Sequence, residues 1–147
     1  MTFLEAIFAR LERSADATVL CEIRDGQPVA LTGSQLRGSI EQARAFVTAR
    51  GVKPGDRCAL IAPNSMRWAA LDLALMAEGA IAVPLYGRQA PAELVSMMKD
   101  ATPSLICCED AALAADLKDL WTKKRPDGAP IVLFDEIFGG DDIGVDQ

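Results

Sequence analysis

Four groups of residues in this 147-residue chain have types and spacings that invite a chemical reading. The first is sulfur: Cys21, Cys58, Cys107 and Cys108 are present and histidine is absent. No pair has C-x-x-C spacing, and a structural zinc site draws its ligands mainly from Cys and His, so a metal site is not expected. Reduced thiols packed in or near strands are expected, with redox chemistry at the vicinal Cys107 and Cys108 as the alternative. The second is Gly33 to Gly38, which has the G-x-x-x-x-G spacing of a phosphate loop. That loop needs a following Lys and a strand feeding it; Ser39 stands in the lysine's place, and the run reads as a helix start.

The third group is a pair of short polar stretches, Pro63-Asn64-Ser65 and Tyr86-Gly87-Arg88-Gln89, each following a strand-like run. Ligands of open α/β sheets sit at the C-terminal ends of strands, so these loops are where a contact would be sought, with turn-making as the plainer role. The fourth is Lys123-Lys124-Arg125, which could meet a phosphate but equally suits the negative end of a helix dipole. None of these makes a convergent set of acid, base, nucleophile or metal ligands. The chain is therefore assigned no catalytic, cofactor-binding or metal residue.

The elements that would position these residues follow from apolar periodicity. Gly51 to Leu85 reads as turn, buried strand, helix, tight turn and second buried strand, a βαβ unit that needs cover on both faces. The segments before it supply candidates for that cover. Leu4, Ile7, Phe8 and Leu11 form a helical stripe within residues 2–13. Thr18 to Arg24 and Pro28 to Leu31 pair as a hairpin about Asp25-Gly26. Thr32-Gly33-Ser34-Gln35 has capping-box spacing and opens a helix with Leu36, Ile40, Ala43 and Val47 inward and a stop at Gly51.

Arg57 to Ala62 is the first strand of the βαβ unit. Asn64 or Ser65 caps the helix after it, with Trp68, Leu71, Leu75 and Met76 on one face, and Ala80 to Pro84 is the second strand. Pro91 then starts a helix with Leu94, Met97 and Met98 inward. Ser104 to Cys108 is a strand, Asp110 caps a helix through Leu113, Leu117, Leu120 and Trp121, and Ile131 to Phe134 is a last strand. The expected fold class is α/β, three-layer with a mostly parallel sheet flanked by helices, plus an N-terminal antiparallel hairpin. Residues 1–138 are one domain and 139–147 a flexible acidic tail.

The net charge is −6, but Asp135, Glu136, Asp141, Asp142 and Asp146 lie in residues 135–147, where there is no Lys or Arg. A nearly neutral body with an acidic end offers nothing to a polyanion, so no nucleic-acid partner is expected. No run approaches the ~20 apolar residues of a transmembrane helix, and the N-terminus lacks the pattern of a secretory signal, which places the chain in the cytoplasm.

Four ordered stretches resemble the N-terminal part of the AMP-forming adenylate-forming superfamily, the acyl-CoA synthetases and AMP-dependent ligases. Thr32 to Leu36 is similar to its T-Y-x-E-L box, and Arg50 to Ser65, R-G-V-K-P-G-D-R-C-A-L-I-A-P-N-S, is close to its wording. Met76 to Ala80 followed by Val83-Pro84-Leu85 resembles L-K-A-G-A-x-x-V-P-L, and Ala90 to Ala101 fits the helix that follows. Val83 to Tyr86 leans toward the long-chain fatty-acid–CoA ligase branch, although Gly87-Arg88-Gln89 departs from the residues that often come next.

The resemblance implies a parent enzyme that activates a carboxylic acid, a fatty acid by this branch, with ATP and Mg to acyl-AMP and transfers it to CoA. The family's phosphate loop, ribose-binding Asp and catalytic Lys all fall beyond residue 147. The expectation is an inactive fragment that binds no cofactor by itself and whose partner is the C-terminal catalytic part of the same chain. An uncovered core face would favour a homo-oligomer. The alternative is a stand-alone, non-catalytic α/β binding module.

Overall fold

Capping residues set the starts of most helices in this protein. The computed structural model describes residues 1–139. Thr2 opens α1 (Phe3–Arg13), and Thr32, whose Oγ1 accepts from the Gln35 amide at 3.2 Å while Gln35 reaches back to the Thr32 amide at 2.9 Å, opens α2 (Gly33–Ala49). Between them lie β1 (Thr18–Arg24) and β2 (Gln27–Thr32), an antiparallel pair joined at Asp25 and Gly26. Both turn residues have positive φ, 49° and 77°, the requirement of a two-residue turn that follows strand twist. This hairpin is a sheet of its own and rests on the body through the fully buried Leu31.

The main sheet contains β3 (Arg57–Ile61), β4 (Ile81–Leu85), β5 (Leu105–Cys108) and β6 (Ile131–Leu133), all parallel and in the order β4-β3-β5-β6. The helices α3 (Met66–Ala77), α4 (Pro91–Ala101), α5 (Ala111–Lys124) and α6 (Phe134–Phe138) complete the chain. Alternation along the strands divides the core in two. Leu60, Leu105 and Cys107 face a cluster with α2, α3 and α6, whereas Ala59, Ile61, Ile106 and Cys108 face α4 and α5. The architecture is thus the expected three-layer α/β arrangement with an added hairpin. Among the described residues no helix is long and apolar enough to cross a membrane.

Several expectations are corrected. β4 is not a buried strand but an edge: Ile81 is 49% exposed and Pro84 is exposed. The chain crosses from β4 back over β3 to β5, which leaves β4 outermost, where a proline without an N–H is tolerated. On α3 the fully inward positions are Ala70, Leu71, Ala74 and Leu75, and Trp68 and Met76 are only half-buried. Small alanines on that face let α3 approach closely. On α4, Val95 joins Leu94 and Met98 inside while Met97 is exposed. Phe134 does not end β6 but begins α6, a helix absent from the sequence reading. Of the acidic tail expected from Gly139, residues 140–147 lie outside the described residues.

Candidate functional site

Register brings three strand ends to one level, because Ile61 pairs with Leu85 on one side and Cys108 on the other. The chain leaves β3 toward α3 on one face of the sheet and leaves β4 and β5 toward α4 and α5 on the other. Loops that part in this way open a crevice at the C-terminal edge of the sheet, the usual ligand position in open α/β folds. Here it encloses a cavity of about 1190 Å³. Ile61 and Leu85 line its apolar base, and Pro63, Asn64 and Trp68 form one wall. Tyr86, Gly87 and Arg88 form the second, and Glu109, Asp110, Leu113 and Asp116 the third.

Caps hold these walls. Ser65, not Asn64, caps α3, its Oγ accepting from the Trp68 amide at 3.1 Å, so Asn64 is left exposed at the rim. Asp110 Oδ1 accepts from the Leu113 amide at 2.8 Å and starts α5. The Glu109 amide donates to the Ile61 carbonyl at 3.1 Å and extends the ladder beyond β5. Burial pushes the Glu109 carboxyl up from its ordinary value, with Arg67 opposing and Glu22, Asp110 and Asp135 reinforcing the shift. Tyr86, 81% exposed, stands free above the opening.

Both polar loops singled out in the sequence, Pro63 to Ser65 and Tyr86 to Gln89, therefore meet at one place, all but Ser65 and Gln89 lining it. Glu109, Leu113, Asp116 and Trp68 were missed. The strand-end rule applied to Cys108 would have found Glu109 and Asp110. The crevice can seat and orient a ligand through Asn64, Tyr86 and Arg88 on an apolar base. Among its lining residues there is no nucleophile beside a base.

The other candidates lie elsewhere. Gly33 and Gly38 are in α2, and Gly33 abuts the carbonyls of Leu11 and Ser14, so the spacing marks a close backbone approach and not an anion cradle. Lys123 pairs with Asp119 at 3.0 Å in the last turn of α5, at the opposite end of that helix from the crevice. Cys107 and Cys108 point to opposite faces of β5, which argues against a redox couple.

Burial raises the thiols of Cys58 and Cys108 to about 11, and that of Cys107 further still. Only Cys21 is exposed. At neutral pH a chromogenic disulfide reagent is expected to modify Cys21 promptly and the other three thiols only after denaturant is added. Prompt modification of any buried cysteine would contradict the packing described.

The chain is 24% identical over 114 residues to a long-chain-fatty-acid–CoA ligase of Mycobacterium bovis, covering 78% of this chain and 19% of that protein. It is 39% identical over 72 residues to a carboxylic acid reductase of Mycobacterium marinum, covering 49% of this chain and 6% of that one. The chain thus spans about a fifth or less of the length of these curated relatives. Among solved structures, VinN superposes with a TM-score of 0.78 at 23% identity, over 92% of this chain and 32% of its own. A fatty acyl-adenylate ligase from L. pneumophila, solved with acyl adenylate and pyrophosphate, gives 0.75 at 19% identity, over 91% and 23%. These structures share the fold. The AMP-binding enzyme family matches residues 7–142, nearly the whole chain, and the protein belongs to that family.

Proposed function

We propose that this chain is the N-terminal subdomain, residues 1–138 with an acidic tail at 139–147, of a longer cytoplasmic ligase. That enzyme condenses a carboxylic acid with ATP to acyl-AMP and pyrophosphate, then transfers the acyl group to CoA with release of AMP. A fatty acid is the proposed acid. The observation that carries this reading is the family match across residues 7–142. The fatty-acid ligase relative and the V-P-L-Y run at Val83 to Tyr86 support the choice of acid.

The described residues hold no group of three His, Cys, Asp or Glu arranged to bind a metal ion, and the glycine pair Gly33 and Gly38 lies in a helix and not in a strand-fed phosphate loop. The reacting groups are therefore assigned to the part of the enzyme outside this chain. The role of residues 1–138 is to present a rigid sheet edge and an open crevice against which that part packs.

A gene product extended past residue 147 is expected to release pyrophosphate from Mg-ATP in the presence of a fatty acid and to form a thioester with CoA. The 147-residue chain is expected to stay at blank. An extended protein that forms neither acyl-AMP nor thioester across a broad panel of acids would sink the enzymatic reading. Pyrophosphate released by the pure short chain would sink the division of labour.

A stand-alone binding module is the second reading, favoured by Tyr86, exposed at an open crevice, and by Ile81, exposed at the other end of β4. The same exposure would support a homo-oligomer of the short chain. A stop codon after residue 147 selects the module, and a strict monomer in light scattering at high concentration removes the oligomer.

A further inference from the structure

Arg67 is the buried charged residue of the described structure, 8% exposed in the first turn of α3. A cation taken out of water needs partners, and those of Arg67 lie far along the chain. Its Nη1 donates to Asp135 Oδ1 at 2.8 Å, its Nη2 donates to the Gly139 carbonyl at 3.1 Å, and its guanidinium carbon lies 5.8 Å from the centre of the Phe138 ring. These contacts are to α6 and the residue just after it. A five-residue helix does not hold itself in water, so α6 depends on such ties and on the burial of Phe134 and Ile137.

The same side chain acts on the crevice. Alternation along β5 and beyond puts Glu109 on the side of Cys107, the side covered by α3 and α6. Arg67 draws the Glu109 carboxyl down, while Glu22, Asp110 and Asp135 add to the upward push of burial. The next residue, Trp68, lines the crevice wall.

We infer that Arg67 is a positioning residue: from behind the crevice wall it ties α6 and Gly139 to the start of α3, beside the wall residue Trp68, with its charge on the side of Glu109. One side chain thereby holds the path out of β6 and sets a positive charge on the side of the sheet to which Glu109 turns. Its bearing on a ligand rests on the crevice being the binding site, but the tie does not. The test below uses neither ATP nor an acid, so its failure is separate from that of the proposed ligase activity.

The experiment compares the full 147-residue chain with Arg67→Met and Arg67→Lys by amide hydrogen exchange and by carboxyl-carbon NMR titration of Glu109. In Arg67→Met, amides of residues 134–139 are expected to exchange about tenfold faster relative to those of α2 and β3. The Glu109 midpoint is expected to move up, because the opposing charge of Arg67 is then gone while burial, Glu22, Asp110 and Asp135 still act. Arg67→Lys is expected to restore the midpoint, since the charge returns, while exchange recovers only in part because an ammonium lacks the planar fork. Unchanged relative exchange at 134–139, or an unmoved midpoint, overturns the inference. If Arg67→Met does not fold, Asp135→Asn decides: it must loosen residues 134–139 while the sheet amides stay protected, and protection unchanged at 134–139 rejects the tie.

Discussion

Gly33→Ala is expected to destabilise the protein by about 3 kcal/mol, the upper end of the usual cost of overpacking. A Cβ at this position would fall 2.5 Å from the Leu11 carbonyl oxygen and closer still to that of Ser14, with the Ser14 carbonyl carbon at 2.8 Å. These are backbone atoms and cannot rotate away. Moving them would break the bonds by which the Gly33 amide donates to the Ser14 and Ala17 carbonyls and the Ser34 amide to that of Ala15. Helix propensity argues the other way, favouring alanine over glycine by about 1 kcal/mol in a helix interior, so the steric term should win clearly.

Gly38 provides the control. Nothing lies within 4 Å of a Cβ added there, and Gly38→Ala is expected to stabilise by about 0.5 to 1 kcal/mol. Urea midpoints of the two variants should move in opposite directions. Equal or raised stability in Gly33→Ala would show that the α1–α2 corner is looser than the structure has it. The contrast also separates this run from a phosphate loop, in which both glycines would be needed for the same ligand.

Phe134→Ala is expected to cost about 3 to 5 kcal/mol, the range for deleting a buried aromatic side chain. Phe134 is fully buried in the cluster beneath α2 and α3 and meets Phe138 edge to face, with ring centres 6.2 Å apart. It leads α6, whose first turn is fastened where the Leu133 amide donates to Glu136 Oε2 at 2.6 Å. Removing the ring opens a cavity against the sheet, so the loss should appear in global unfolding monitored by circular dichroism. A loss below about 1 kcal/mol would mean that α6 is peripheral to the core and not part of it.

These two residues show where sequence reading reaches and where it stops. The capping box at Thr32 and Gln35, the Asp25-Gly26 turn, the Asp110 cap and the left-handed Gly51 were all legible, and the cap of α3 was narrowed to Asn64 or Ser65, because each motif closes within a few residues. Core faces were legible where the stripe was unambiguous, as at Leu36, Ile40, Ala43 and Val47. They failed at Met76 and Met97, where apolar residues flank the core stripe and only the helix's neighbours decide which side turns inward. α6 failed for a different reason: five residues are fewer than two helical turns and carry no periodicity to read.

The site divides in the same way. By itself the sequence determined that Pro63 to Ser65 and Tyr86 to Gln89 follow strands, that the main sheet is mostly parallel, and which enzyme family the chain resembles. Those properties depend on local pattern and on wording carried in order along the chain. Only the tertiary structure decided that β4 lies at the edge, that Glu109 and Leu113 join the two loops around one crevice, and that Arg67 reaches Asp135 and Gly139. The strand order β4-β3-β5-β6 arises when the chain crosses over β3 and packs helices on both faces, and contacts made by that crossing have no signature at any fixed spacing.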